Sequence, residues 1–239
     1  MERNMRKKIE SFAAVLAVTA SLALTSVRAE ATPSTQVRIP STDTQTFGTL
    51  HLGVDNYTTM FKKKKDGGAD LPTIMGLTLG VADTGYVGAE IGLDLREPTD
   101  DPLSFNGKFQ IKEDSLFEYF PAIALGGYDF GTKEGPTDYN IGYVLMAKTL
   151  PIVGRVSGGY YVGNAALLKN ASGNDENNGF LFSFDRTLAE IDDRLWVCVD
   201  YMGGENVYGA LSFGLSWRFS PNISALIGYA AYNNTDVVG

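Results

Sequence analysis

Apolar and polar residues alternate along most of this chain in segments of strand length. In the segment 103–111 one face carries Leu103, Phe105, Phe109 and Ile111, and the other carries Ser104, Asn106, Lys108 and Gln110. The segment 87–95 repeats the pattern, with five apolar residues set against two glycines and two acids. Successive side chains of a strand point to opposite faces, so each segment predicts a strand with one apolar and one polar side.

The alternation predicts eleven strands after residue 46, at 47–60, 71–83, 86–97, 103–112, 117–130, 138–150, 154–168, 179–191, 194–203, 207–219 and 222–233. Long and short connections alternate through the first eight, with the fourth expected at 113–116. Outer-membrane barrels have this loop pattern and an even number of strands. Residues 237–239 then read as the start of a twelfth strand that is cut short. The predicted fold is all-β: an antiparallel up-and-down transmembrane β-barrel of about twelve strands, eleven of them visible and the last truncated.

Two barrels fit such strands, and they differ in which face points outward. A transmembrane barrel turns its apolar face to lipid, whereas a periplasmic up-and-down barrel of the lipocalin kind turns it inward. Aromatic residues cluster near the predicted strand ends, where amphipathic rings favour a membrane interface: Tyr57, Phe61, Tyr86, Phe117, Tyr119, Tyr139, Trp217, Phe219 and Tyr232. We therefore expect the membrane barrel.

The N-terminus indicates export. Four basic residues precede an apolar stretch at 12–24, and Val27, Arg28 and Ala29 offer small residues at a cleavage site. We predict a signal peptide at 1–29, a flexible periplasmic segment rich in Thr, Ser and Pro at 30–46, and an outer-membrane barrel domain at 47–239. The predicted location is the bacterial outer membrane.

Composition restricts the classes of partner that we expect this protein to bind. The single cysteine cannot form an internal disulfide, and a net charge of −8 without a basic stripe argues against nucleic-acid binding. We expect outer-membrane lipid, lipopolysaccharide and small polar solutes as partners. A cationic run could bind lipopolysaccharide phosphates from an outside loop: Lys62, Lys63, Lys64 and Lys65. The alternative is a solvated loop that discourages strand pairing.

The polar faces of the predicted strands collect charged residues that would surround the lumen. The pore-lining candidates are His51, Asp55, Glu90, Asp94, Arg96, Lys108, Lys148, Asp185, Asp200 and Arg218. In a barrel of this size such charges either line a narrow channel or pair with one another and block it. The pattern leaves both outcomes open.

Catalysis finds little support. His51 is the only histidine, and Asp55 four residues away on the same strand face lies about 13 Å from it. No serine nucleophile occupies a recognisable motif, so we predict no enzymatic activity and no catalytic residue. The loop at 174–176 lacks the spacing of a calcium loop, and we predict no metal and no cofactor.

A glycine-rich stretch at 120–132, together with residues 143–148, resembles a pattern in bacterial outer-membrane barrels of the YjbH type. More broadly, the chain looks like porin-like barrels of Gram-negative bacteria. The first resemblance implies an association with exopolysaccharide export. Three functions follow as predictions: a porin-like passive channel for small polar solutes, a structural or accessory envelope barrel linked to polysaccharide export with a blocked lumen, and, third in order, a barrel enzyme.

Overall fold

The computed structural model describes residues 34–59, 71–135 and 137–238. The predicted signal peptide and the lysines at 62–65 lie outside these residues. Among the described residues, no helix is long and apolar enough to cross a membrane.

The fold is all-β, as the alternation predicts, and consists of one antiparallel sheet in which each strand pairs with its neighbours in chain order. The strands are β1 (Leu50–Asn56), β2 (Thr73–Asp83), β3 (Val87–Glu97), β4 (Leu103–Ile111), β5 (Ala122–Gly131), β6 (Ile141–Leu150), β7 (Gly154–Val162), β8 (Asn178–Thr187), β9 (Leu195–Met202), β10 (Ala210–Ser220) and β11 (Ile223–Tyr232). The eleven predicted strands are confirmed. The predicted start of a twelfth is wrong, because the chain forms a short helix, α1 (Thr235–Val238), at that point.

The sheet is not closed. Within the described residues β1 pairs with β2 only, and β11 pairs with β10 only. The two edge strands nevertheless border one interior cavity. His51 of β1, Tyr57 just after β1 and Tyr232 of β11 all line it. The sheet therefore curls around an interior and leaves a seam between its first and last strands.

The polar face of the sheet is its inner face. Glu90, Lys108, Asp185 and Asp200 are buried on it, as are several serines. The outer face exposes large apolar side chains, among them Leu52, Leu125, Phe180, Phe182, Phe213 and Ile227. Most pairs in the register keep the two sets apart, since Leu77 faces Leu93 and Glu90 faces Lys108.

Several predicted strands extend beyond the observed ones, and β5 and β7 show the physical reason. Residues 117–121, expected in β5, belong to a turn in which Tyr119 has φ 67° and Asp114 donates its N–H to the carbonyl of Phe120. The connection predicted at 113–116 therefore covers 112–121. Residues 163–168, expected in β7, form a loop in which the Asn164 side chain binds Asp138 and accepts from the N–H of Ala166. Local side-chain and turn geometry thus delays the start of β5 and ends β7 early.

The N-terminal segment, by which we mean residues 34–46, lies inside the curled sheet. Its residues Gln36, Ile39, Ser41 and Thr42 are almost completely buried. A flexible periplasmic segment was the expectation over 30–46, and the described part differs from it. The segment lacks periodicity because its partners are on several strands of the inner wall rather than on one neighbouring strand.

Candidate functional site

The N-terminal segment folds back on itself within the lumen. Thr35 and Pro40 form an antiparallel bridge, and the N–H of Gln36 donates to the carbonyl of Ile39 at 2.8 Å. This tight turn places residues 37–39 at its tip. The chain then continues through 41–46 to β1, where Thr46 accepts from the N–H of Thr49.

Asp200 on β9 holds the tip of this turn. Its Oδ2 accepts hydrogen bonds from the backbone N–H groups of Val37, Arg38 and Ile39 at 2.8, 2.7 and 3.3 Å. The Ile39 side chain is fully buried in an apolar cluster formed with inner-face residues of β5 to β9 and the loop at 163–177. A carboxylate on the wall thus binds backbone donors that would otherwise be buried without partners.

A buried ion pair holds both arms of the turn. Lys108 Nζ lies 3.1 Å from Glu90 Oε1, with side-chain exposures of 3% and 4%. The same ammonium donates to the carbonyls of Ser34 and Ser41, at 2.8 and 3.2 Å. Glu90 in turn accepts from the Ser34 hydroxyl and from the backbone N–H of Gln45.

On the opposite wall, Arg155 on β7 bridges the N-terminal segment to β8. Its guanidinium binds Asp43 of the segment and, at 3.0 Å, Asp185 of the wall. Asp185 also accepts from the Gln36 amide at 2.9 Å. The Cys198 thiol lies 3.1 Å from the Gln36 Oε1 atom, so the one cysteine of the chain marks a contact between segment and wall.

The N-terminal segment lies between two cavities. The larger, of about 520 Å³, is on the side of the long connections and is lined by Ser34, Thr35, Arg38 and Pro40 of the segment. The smaller, of about 310 Å³, is on the side of the short turns and is lined by Thr42, Asp43 and Thr44. We call the larger one the upper cavity. The segment separates the space at one end of the lumen from the space at the other.

The wall of the upper cavity combines charged groups with tyrosine rings. The Nη2 atom of Arg96 donates to both carboxylate oxygens of Asp129, at 3.0 and 3.1 Å. The Arg96 guanidinium lies 5.6 Å from the ring centroid of Tyr139. Tyr208, in the connection before β10, donates its hydroxyl to Asp129. Burial, and then the charge of Asp129, raise the pKa of Tyr208 well above its usual range, so this hydroxyl stays a donor at neutral pH.

The ten pore-lining candidates divide into three groups. Six line the upper cavity: His51, Asp55, Glu90, Asp94, Arg96 and Lys108. Asp185 and Asp200 bind the N-terminal segment instead. Lys148 and Arg218 lie at the short-turn end, where Lys148 pairs with Glu113 and Asp114 and Arg218 donates to the carbonyl of Asp193. These last two lie away from the upper cavity.

Sequence reasoning missed several groups that organise the lumen. Arg155 alternates with Val156 and shares the polar face of Ser157, so the pattern that found Lys108 could have found it. Asp129 gave no such signal, because it has φ 55° next to an irregularity in the β4–β5 register. Arg38 and Asp43 lie on the N-terminal segment, where alternation is absent.

In the described part of the chain, no cluster of three or more His, Cys, Asp and Glu side chains is arranged to hold a metal ion. Comparisons with protein-family models, with curated proteins and with solved structures find no match to this chain.

Proposed function

We propose that this chain is an integral outer-membrane β-barrel whose lumen is closed by its own N-terminal segment. It would then act as a structural or accessory barrel of the envelope rather than as an open channel. The position of the N-terminal segment between the two cavities is the observation that carries this proposal. A solute entering from the long-connection end meets that segment before it reaches the other end.

The distribution of exposed apolar side chains supports the membrane part of the proposal. Leu52, Leu125 and Phe180 are 67%, 63% and 72% exposed on an outer wall that surrounds a charged interior. A soluble barrel of the lipocalin kind would have the reverse arrangement. Lipid, including lipopolysaccharide, is the partner that suits such a wall. In lipid the seam between β1 and β11 would also have to be paired, since unpaired backbone groups there cost several kcal/mol each.

The pairing of charges in the lumen supports the closed state. Glu90 with Lys108 and Asp185 with Arg155 neutralise one another across neighbouring strands, and Asp129 on β5 does so with Arg96 two strands away on β3. A channel that draws ions through its lumen needs charged side chains that are free to meet them. Here most of those charges hold the wall and the N-terminal segment together.

A porin-like passive channel for small polar solutes is the second candidate. The upper cavity favours it, because about 520 Å³ of polar space already opens toward the long connections. The N-terminal segment is attached mainly by hydrogen bonds and ion pairs, and its displacement would join the two cavities. The closed barrel and the channel thus differ in whether that segment leaves the lumen.

The association with exopolysaccharide export and the barrel enzyme remain predictions. The association with exopolysaccharide export rests on the sequence resemblance alone. For an enzyme, His51 and Asp55 are the residues to test, and an unchanged activity of His51→Ala in any hydrolase assay of the purified protein would dispose of a histidine-dependent reaction.

Gel mobility of boiled and unboiled outer-membrane fractions tests the membrane barrel. We expect the protein in that fraction, with a faster-migrating form before boiling that disappears after boiling. Recovery in the soluble periplasmic fraction without such a shift would contradict the proposal.

Conductance across a planar bilayer tests the closed lumen, and Cys198 permits a matched control. Gln36→Cys places a second thiol beside this single native cysteine, so oxidation should fix the segment to β9. We expect the wild type and the oxidised variant to be silent, and a variant lacking residues 34–41 to conduct. Steady conductance of the wild type that disappears in oxidised Gln36→Cys would favour the channel. Equal conductance of both would contradict a closed lumen.

A further inference from the structure

The wall of the upper cavity contains two glycines close to two carboxylates. Gly53 on β1 pairs with Gly76 on β2, and Gly76 pairs with Asp94 on β3. Asp55 is two residues from Gly53 and on the same inner face. A Cβ atom built on Gly53 would have no heavy atom within 4 Å. At Gly76, by contrast, the Asp94 carboxylate lies over the glycine, with its Oδ1 atom 2.6 Å from the position that a Cβ would take. Gly53 therefore leaves open space beside Asp55, and Gly76 leaves room for the Asp94 carboxylate.

The other charges of the upper cavity are already engaged. Lys108 pairs with Glu90, and Arg96 pairs with Asp129. The guanidinium of Arg38 binds the hydroxyl of Tyr232 and the carbonyls of Val207 and Tyr208, and it lies 4.8 Å from the centroid of the Tyr232 ring. None of these bases forms an ion pair with Asp55 or Asp94.

The two carboxylates, by contrast, keep most of their hydrogen-bonding capacity. Asp94 accepts one hydrogen bond, from the Asn106 amide at 2.7 Å. Among residues 34–59, 71–135 and 137–238, no hydrogen bond or ion pair reaches the Asp55 carboxylate, although the histidine His51 lies on the same face. Among these residues, the side of the cavity formed by β1 to β3 thus has an excess of negative charge.

Aromatic rings complete the site. Tyr57, Tyr128, Tyr143 and Tyr208 line the same cavity as the two carboxylates. Ring faces and carboxylates together attract organic cations, because the ring quadrupole is negative on its faces. A cavity of about 520 Å³ is in the range that holds small molecules.

We propose that the upper cavity binds a small aliphatic ammonium compound, with its charged nitrogens at Asp55 and Asp94 and its methylene chain over Gly53. Two carboxylates without basic partners match a diamine. The site goes beyond the proposed function, because it needs the folded cavity but no path through the barrel.

Calorimetric titration of the full chain in detergent with 1,4-diaminobutane tests the site. Binding should be saturable, and 1,4-butanediol and succinate, which are neutral and anionic molecules of similar length, should not bind. Asp55→Asn and Asp94→Asn should each weaken binding roughly tenfold, since a hydrogen bond to a charged group is worth about that factor or more. Asp100→Asn removes the same charge from the exposed loop between β3 and β4, outside the cavity, and should leave binding unchanged.

Gly53→Ala gives a test that alters no charge. The new methyl group meets no neighbour within 4 Å, so the sheet should tolerate it, but it occupies the space for the methylene chain and should weaken binding. Equal binding of butanediol or of succinate, or full binding by the Asp55→Asn and Asp94→Asn variants, would overturn the proposal. Gel mobility of the same preparations, boiled and unboiled, reports the barrel separately, so that failure of the site is distinguishable from failure of the fold.

Discussion

Lys108 and Glu90 form an ion pair that is almost completely buried, and this burial determines how much each residue contributes to stability. Removing a charge from water costs several kcal/mol, which the pair recovers only when the remaining hydrogen bonds are made. Lys108 makes two of these to carbonyls of the N-terminal segment, and Glu90 accepts two from it. The pair therefore couples the stability of the wall to the position of the segment.

Substitution of one partner should be costlier than substitution of both. We expect Lys108→Met to lower the free energy of unfolding by about 3–5 kcal/mol, because Glu90 is left buried without its counter-charge. Adding Glu90→Gln should restore part of the loss, with an interaction energy of about 0.5–3 kcal/mol. Urea unfolding followed by fluorescence of Trp196 and Trp217 would measure both, and strictly additive effects would show that the pair is not coupled.

Glu113, in the turn after β4, is the acid most favourably placed for a measurement of pH dependence. Burial raises its pKa, but hydrogen bonds from the backbone N–H and hydroxyl of Thr149 and the ion pair with Lys148 outweigh this effect, so the pKa lies below its usual range. A carboxyl whose pKa is lowered by folding stabilises the protein above its unfolded pKa, near 4.3, and loses that contribution as the pH falls through the folded value.

Glu113→Gln should accordingly be less stable than the wild type at neutral pH, and the difference should shrink as the pH falls below about 4. Unfolding curves at several pH values would show the convergence. The control is Glu118→Gln, which removes the carboxylate of an exposed residue in the same turn. A difference that stays constant with pH would contradict the assignment to the Glu113 carboxylate.

At the level of elements, the N-terminal segment depends on contacts that are far away in the chain. Asp200 holds its tip, because the Oδ2 atom of this residue accepts three backbone hydrogen bonds. Asp200→Asn removes the charge but keeps the size of the side chain, and the hydrogen bonds to a neutral oxygen are weaker.

Asp200→Asn should therefore release the tip more often. Arg38 lies in that tip and offers a trypsin site, so brief trypsin treatment with mass detection of cleavage after Arg38 reports the opening. We expect faster cleavage in Asp200→Asn than in the wild type, and wild-type rates in Asp193→Asn, which changes an exposed turn. Equal rates in all three proteins would mean that Asp200 does not retain the segment.

The elements differ in how far the sequence could predict them. Strands such as β3 and β4 were found because a half-buried strand must alternate, and the same alternation assigned Glu90 and Lys108 to the inner face. The position of the N-terminal segment could not be predicted, because Asp200 and Glu90 hold its backbone and Arg155 holds its Asp43 side chain. Such contacts impose no period on residues 34–46. The start of β5 and the end of β7 could not be predicted from the alternation, because turn geometry rather than hydrophobicity decides them.

At the level of the whole molecule, substitutions on the outer wall can show whether lipid or water surrounds the protein. Leu125 lies within β5 on that wall, whereas Ile152, which is 90% exposed, lies in the turn between β6 and β7. An arginine in the middle of a lipid-facing strand costs about 2–4 kcal/mol, and one near the interface costs far less.

We therefore expect Leu125→Arg to reduce the heat-modifiable form in outer-membrane fractions strongly, and Ile152→Arg to leave it almost unchanged. In a protein surrounded by water, both exposed positions would tolerate arginine equally. Equal recovery of the two variants would thus contradict a lipid-facing wall.

The hydrogen bonds of the N-terminal segment also set an order of events during folding. Val37 and Asp200 are 163 positions apart, and Gln36 and Asp185 are 149 apart, so residues near the start of the chain obtain their partners only when β8 and β9 arrive. Contacts over such distances form slowly, since the entropy of closing the loop is lost before any contact is gained. The N-terminal segment can therefore reach its final position only after β8 and β9 have formed, late in the assembly of the sheet.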